Sequence, residues 1–454
     1  MWKYIGHWPA ATGEFIRREW PWWGAYTAAA LVATAYPARL ALPAGLVLLS
    51  AELIVWLRTI GREINLGGIL RVTVLLTMWV APALAYCGAG AGWYSGHVMP
   101  VAAHVYWSLA APGTALLNSV IRMRWLLPAA RGTDFPGFKN LESLMAIILI
   151  LTGLIAQLAL PAAPSALRQM FHLLSLLVFT GILYGIRAWP VWRWWWALGG
   201  SIYAGALALQ TTLFGGALMW ILIMCMFAAK GRAIPAIARY GLAAAGVAGL
   251  WILLSFKYEY RKTLQQAGQP ASTFSIFAGM LWQQIAHPDR IFNPSVLETA
   301  INRFNQGYYM AQTMAWTPSR EPFARGETLY EDVKGALLPR LLAPDKHRAG
   351  GYENMARFAG VSGRSYSMNI GIFGEAYANF GIGGGIVCLF GYSLLLATLM
   401  RLSIRHLDPP WWPFLFLPAL HVESDMGIVF NHLVKAGLIA VTLTGLFLTA
   451  KKYR

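Results

Sequence analysis

The chain has 454 residues, of which 57% are hydrophobic and 12% charged. One soluble core cannot bury so much apolar surface, which excludes a soluble protein and leaves lipid as the surroundings of the surplus. The formal net charge of +17 would suit a nucleic-acid partner, but basic residues that flank apolar helices orient a membrane protein, and the positions of the cations favour that interpretation.

Apolar runs between charged residues or Gly/Pro breaks predict about 12 transmembrane helices. We expect about nine of them in residues 1–256 and about three in residues 369–454. The predicted spans are 24–41, 43–57, 66–86, 100–121, 144–161, 169–186, 194–210, 212–229, 237–255, 369–400, 411–429 and 431–450. The expected fold class is an all-α polytopic membrane protein.

The short loops differ in their content of basic residues. The loops on one side hold Arg58 and Arg62, Arg122 and Arg124, Arg187 and Arg193, and Lys230 and Arg232, whereas the short loops and span ends of the other side hold only Arg39, Arg168 and Lys435. Because basic loops stay in the cytoplasm, this asymmetry predicts that both termini are cytoplasmic.

The segment 257–368 is the one long hydrophilic stretch, and the same alternation puts it on the outer side as a helical subdomain. Apolar residues recur there at helical spacing, which predicts amphipathic helices at 273–285, 294–315 and 328–342. Thirteen of its residues are basic and nine acidic, and nine of the thirteen are arginine. The planar guanidinium of arginine can form two parallel hydrogen bonds with a phosphate or carboxylate group, so one interpretation is that this segment binds an anionic ligand. A solvated loop whose arginines pair with its own carboxylates is the other.

Two stretches near the end of this segment carry a recognisable pattern. The first runs from Pro339-Arg340 to Pro344-Asp345-Lys346, and a Gly/Ser-rich stretch from Gly360 to Ser367 follows it. The second, Gly371-Ile-Phe-Gly-Glu375-Ala-Tyr-Ala-Asn379-Phe-Gly381, opens the next predicted span. Over about forty residues these stretches resemble the bacterial oligosaccharide repeat-unit polymerases, the Wzy family of O-antigen and exopolysaccharide polymerases. His347 departs from the pattern, because a second proline is common at that position.

The resemblance implies a metal-independent enzyme without a cofactor, similar to the membrane-embedded GT-C-like glycosyltransferases. Such an enzyme joins undecaprenyl-diphosphate-linked oligosaccharide repeat units at the periplasmic face of the bacterial inner membrane. A chain-length regulator and a flippase are the partners it implies, besides the lipid bilayer. An O-antigen ligase, which passes the glycan to the lipid A core, a flippase or other transporter of lipid-linked oligosaccharides, and a non-catalytic assembly subunit stay open as alternatives.

Several polar residues are candidates for the chemistry. Glu375 is the first candidate for a general base, because a carboxylate within a span is costly and usually faces protein or water; a structural carboxylate is the alternative. The hairpin 421–432 offers His421 or Glu423 as the second candidate, or ordinary loop residues. The candidates to bind the diphosphate or the sugar are five cations, one aromatic residue and one amide: Arg303, Arg340, Lys346, Arg348, Arg364, Tyr366 and Asn379. The spacing of His, Cys, Asp and Glu does not match a metal site.

Overall fold

The computed structural model of the protein describes residues 19–123, 141–164, 167–211, 214–267, 273–291, 293–338, 351–361 and 369–452. Within these ranges the structure is helical and contains no β-strand, which confirms the all-α class. The longer helices of the N-terminal part are α1 (Trp20–Ala35), α2 (Pro37–Thr59), α3 (Leu66–Gly90), α4 (Ala103–Arg122), α5 (Glu142–Ala159), α6 (Arg168–Ala188), α7 (Arg193–Thr211), α8 (Phe214–Ala229) and α9 (Ala236–Ala267). The remainder are α10 (Thr273–Ala286), α11 (Pro294–Phe304), α12 (Gly307–Trp316), α13 (Glu327–Leu337), α14 (Tyr352–Ala359), α15 (Gly371–His406), α16 (Trp411–Leu420) and α17 (Met426–Lys452).

Seven of the described helices are long and apolar enough to cross a membrane, namely α2, α3, α5, α6, α9, α15 and α17. Two shorter apolar helices, α8 and α16, accompany them. The chain is therefore a polytopic membrane protein, as its composition predicts. Each of the apolar runs predicted from the sequence contains a helix, while the number of spans beyond these seven stays a prediction.

A buried ionic cluster shows how the first four helices run. Glu52 is fully buried near the end of α2. Its carboxylate accepts hydrogen bonds from Tyr26 Oη at 2.7 Å, Arg71 Nε at 3.1 Å and Arg122 Nη1 at 2.7 Å. Tyr26 lies in the first half of α1, Arg71 lies near the beginning of α3, and Arg122 ends α4. Consecutive helices are therefore antiparallel, and this cluster ties one end of the bundle together.

A second ionic cluster joins helices that are far apart in sequence. Arg187, near the end of α6, donates to Glu142 Oε1 at 2.5 Å and to Asp408 Oδ1 at 2.6 Å. Glu142 begins α5, and Asp408 follows α15. Two of the basic short loops also meet, since Gly231 N donates to Gly61 O at 2.8 Å.

The helices of the segment after α9 pack at the opposite end of the bundle. Glu298 on α11 accepts a hydrogen bond of 2.9 Å from Ser95 N in the loop between α3 and α4. The helix predicted at 294–315 is in fact two helices, α11 and α12, because the side chain of Asn305 accepts the backbone N–H of Tyr308 at 3.0 Å and starts a new helix there. Helix α14 was not predicted from the sequence.

Helix α15 is interrupted at Gly381, whose φ of 66° and ψ of −160° are not helical. This positive φ favours glycine. The interruption frees the carbonyls of Ala378 and Asn379, and these accept hydrogen bonds of 2.9 and 3.0 Å from the backbone N–H groups of Ala324 and Arg325. The single span predicted at 369–400 is thus a short helix, 371–380, held by the loop before α13, followed by a long one, 382–406.

Candidate functional site

A cleft of about 250 Å³ lies between helices α3, α8 and α9. Its walls are mainly aliphatic, with contributions from Leu76, Leu218, Met219, Leu222, Leu250, Leu253 and Leu254. Along α8 the lining extends from Phe214 to Leu222, a distance of roughly 12 Å at the rise of an α-helix. A narrow apolar groove of this kind suits a hydrocarbon chain.

One end of the cleft is polar, and three separate parts of the chain form it. Lys257 comes from α9, Arg303 from the last turn of α11, and His421 and Glu423 from the turn between α16 and α17. The sequence had predicted a span over 411–429. Helix α16 instead ends at Leu420, and the Asp425 side chain accepts the N–H of Ile428 at 2.7 Å to begin α17.

Arg303 and Glu423 form a two-pronged ion pair across this polar end. Arg303 Nη1 donates to Glu423 Oε2 at 3.1 Å, and Nη2 donates to Oε1 at 3.2 Å. Their side chains are 36% and 39% exposed. The pair is therefore reachable from outside, and it presents the planar geometry in which a guanidinium also holds a phosphate group.

The charges at this end set the ionisation of its two titratable candidates. Burial lowers the pKa of the His421 imidazole, an effect that Glu423 opposes and Arg303 reinforces. Burial alone would raise the pKa of Glu423, but the neighbouring cations, Arg303 foremost, outweigh it and lower the pKa of this carboxyl. At neutral pH His421 is consequently a neutral imidazole able to accept a proton, whereas Glu423 is ionised and engaged by Arg303.

Of the residues that the sequence singled out, the structure brings Arg303, His421 and Glu423 together in the cleft. Lys257 was counted among the basic residues but not proposed as a site residue. A sequence signal for it exists, because Leu250, Leu253, Leu254 and Lys257 are spaced to share one face of α9, so that the lysine continues the apolar wall. The predicted site residues Arg340, Lys346, Arg348, Arg364 and Tyr366 lie outside the described residues.

Glu375 and Asn379 belong to a neighbouring cluster that does not line the cleft. Glu375 is fully buried and accepts hydrogen bonds from Thr328 Oγ1 at 3.0 Å and Met426 N at 2.7 Å. Asn379 donates to Thr328 Oγ1 at 2.7 Å and accepts from Gly326 N at 2.9 Å. These contacts tie the first part of α15 to the beginnings of α13 and α17.

We expect Glu375→Gln to keep most of the activity and Glu375→Ala to lose most of the folded protein. Glutamine retains the shape and an acceptor for Met426 N–H, and its amide can donate to the Thr328 oxygen. Alanine leaves buried polar groups unpaired, at a cost of about 1–3 kcal/mol each, and adds a cavity. Product formed per amount of folded protein measures the difference. A Glu375→Gln protein that is folded but inactive would return Glu375 to the role of general base.

The described residues contain no group of three His, Cys, Asp or Glu side chains arranged to hold a metal ion. Independence of a metal therefore stays a prediction for the whole chain. Comparison with protein-family models, curated proteins and solved structures finds no match for this chain.

Proposed function

We propose that this protein is a membrane-embedded glycosyltransferase that joins undecaprenyl-diphosphate-linked oligosaccharide units into a polysaccharide, as an O-antigen or exopolysaccharide polymerase does. One observation carries the proposal: an aliphatic cleft between membrane helices leads directly to Lys257, Arg303 and the neutral His421. A prenyl tail requires an apolar wall, a diphosphate requires cations, and the reacting acceptor hydroxyl requires a proton acceptor. The local resemblance of residues 339–381 to the Wzy family supports the same substrate class.

Each part of the cleft has a role in this reaction. The aliphatic walls hold the prenyl tail of the donor, and Arg303 and Lys257 neutralise its diphosphate. His421 takes the proton of the acceptor hydroxyl as its oxygen attacks the anomeric carbon. The bond between that carbon and the diphosphate oxygen breaks, and the electron pair leaves with the prenyl diphosphate. The cations of the stretch 339–348 are further candidates to hold the leaving group.

Reconstitution of the purified protein in lipid vesicles tests this proposal. A lipid-linked repeat unit supplied alone should give a ladder of longer glycans still attached to lipid. Glycan transferred only after addition of a lipid A core acceptor would identify a ligase, which uses the same donor. Movement of intact lipid-linked oligosaccharide across the bilayer with no new glycosidic bond would identify a transporter and refute the polymerase.

The proposal includes an orientation in the bacterial inner membrane. The apolar runs give about twelve spans, and the basic loops put both termini in the cytoplasm and residues 257–368 in the periplasm. The two ionic clusters and the basic loops 60–65 and 230–235 share one end of the bundle, while Glu298 anchors the long segment at the other. The cleft then opens toward the periplasmic end, where lipid-linked substrates would be exposed.

Cysteine labelling in whole cells measures this orientation. In a variant without Cys87, Cys225 and Cys388, we expect Ser319→Cys to react with a membrane-impermeant maleimide and Ala233→Cys to stay unlabelled until the cells are opened. Both positions are exposed, so accessibility differs only by the side of the membrane. The opposite labelling pattern would reverse the orientation and remove the periplasmic reaction.

A further inference from the structure

The two-pronged contact between Arg303 and Glu423 engages both terminal nitrogens of the Arg303 guanidinium. The two residues are 120 positions apart in sequence, and the pair closes across the polar end of the cleft at 3.1 and 3.2 Å. A phosphate that binds this edge of the guanidinium uses the same donors in the same geometry, because a guanidinium presents an equivalent fork to carboxylate and to phosphate. Glu423 therefore stands where the anion of the substrate would bind.

The surroundings favour replacing this carboxylate by a more highly charged anion. Lys257 lines the same end of the cleft, and its ammonium group lies 5.8 Å from the centroid of the Phe214 ring. Glu423 balances only one of the two positive charges of Lys257 and Arg303. The ion pair is also partly exposed, and exposed pairs contribute little to stability, so its opening costs little.

We propose that Glu423 is an exchangeable partner of Arg303: the diphosphate of the lipid-linked donor displaces the Glu423 carboxylate from the guanidinium, and the freed carboxylate then faces His421. This inference rests on the proposed function. It makes Glu423 a positioning residue that acts through Arg303 and His421 and does not itself take the proton. No covalent bond changes in this exchange, in which one anion leaves Arg303 and another replaces it.

Through this exchange, binding of the donor makes the His421 imidazole a stronger base. In the empty cleft Arg303 and Glu423 act on His421 in opposite directions, the guanidinium lowering and the carboxylate raising the pKa of the imidazole. A diphosphate that engages Arg303 cancels part of the positive field and leaves the Glu423 carboxylate unpaired beside His421. The imidazole accepts a proton more readily after the donor has bound than before.

Binding of farnesyl diphosphate to the full chain in nanodiscs tests the exchange without any glycan transfer. We expect Glu423→Gln to bind this probe roughly fivefold more tightly than the natural protein, because the competing carboxylate is gone. Glu423→Ala should show the same gain and serves as a second variant if the first folds poorly. Glu331→Gln, which removes a carboxylate of the exposed pair with Lys334, is the matched control and should leave the affinity unchanged.

A double replacement separates displacement from a general effect of charge. If Glu423 competes for Arg303, the gain from Glu423→Gln disappears when Arg303 is already glutamine. A gain of equal size without Arg303 would overturn the exchange, as would unchanged or weaker binding by both Glu423 variants, or absence of binding by every protein in the series. Polymer formation is not part of this measurement, so the exchange can fail while the polymerase proposal stands, and the reverse.

The pH dependence of the reaction rate is a second measurement. A purely structural role for Glu423 would leave this dependence unchanged. Removing the carboxylate lowers the pKa of His421 further, so the acid limb of the reaction should move to lower pH in Glu423→Gln. The rate of a neutral base falls as pH drops through its pKa, which fixes the direction of this shift. An acid limb that stays in place, or moves to higher pH, would contradict the link between Glu423 and His421.

Discussion

Replacing His421 with asparagine is expected to abolish glycan transfer while the protein remains folded in the membrane. His421 is the neutral side chain at the polar end of the cleft, and asparagine keeps a polar group of similar reach there but cannot accept the proton of a hydroxyl. Loss of a general base typically lowers the rate by about 10²–10⁴-fold. The measurement is the rate of glycan elongation in reconstituted vesicles at equal amounts of folded protein.

His287→Asn is the matched control for this variant. His287 is exposed in the segment after α10 and does not line the cleft, so its replacement should leave the rate unchanged. Binding of farnesyl diphosphate should survive in His421→Asn, since Arg303 and Lys257 are intact. A His421→Asn protein with near-normal elongation would remove the imidazole from the mechanism and leave the cleft as a binding site alone.

Replacing Glu52 with alanine is expected to eliminate most of the folded protein, although Glu52 does not line the cleft. Its carboxylate is fully buried and is hydrogen-bonded by Tyr26, Arg71 and Arg122. Removing one partner from a buried ionic group leaves the other charges uncompensated and costs about 3–5 kcal/mol. Here the two arginines would face each other without an anion between them.

Protein level in the membrane and the midpoint of thermal unfolding in detergent measure this loss. Glu259→Ala, at an exposed position on α9, is the control and should behave like the natural protein. We expect Glu52→Gln to be intermediate, because the amide keeps the size of the side chain and an acceptor but not the charge. A Glu52→Ala protein of normal level and stability would show that water or lipid headgroups reach the two arginines.

The helices of the bundle were largely predictable because a helix that crosses a membrane needs a long run of apolar residues, and such runs are visible in the sequence. The predicted span 66–86 is the helix Leu66–Gly90, and the predicted span 194–210 is the helix Arg193–Thr211. The bounds are less accurate where a helix continues beyond its apolar run. Helix α9 runs to Ala267, past the predicted end at residue 255, because charged residues end an apolar stretch without ending a helix.

The breaks in the helices were not predicted, since they depend on partners distant in sequence. Gly381 interrupts α15 where the backbone of Ala324 and Arg325 supplies the hydrogen bonds that the helix gives up. Glycine occurs at many positions of this chain, and only the loop before α13 distinguishes this one. The same holds for Glu375: its spacing with Asn379 indicated one face of a helix, but only the structure shows that Thr328 and Met426 occupy that face.

The cleft was predicted in part, from residues whose chemistry is unusual near a membrane. His421 and Glu423 were singled out as polar residues at the end of an apolar run, and Arg303 as one of the arginines of the outer segment. Their proximity was not predictable, because no local pattern relates positions 120 residues apart. Lys257 was missed because a lysine that ends an apolar helix usually marks the membrane surface, and only the convergence of α9 with α11 makes it part of a site.

Helix α9 forms one wall of the cleft, and apolar residues along it also face outward. Ile237, Leu242 and Val247 are 84%, 66% and 65% exposed. In the proposed reaction the donor's tail stays within the hydrocarbon phase while it reaches this wall. Encounter with the enzyme is then a search in two dimensions, and the relevant concentration is the mole fraction of substrate among the lipids. Adding inert phospholipid to a vesicle should slow the reaction, whereas adding buffer around the same vesicle should not.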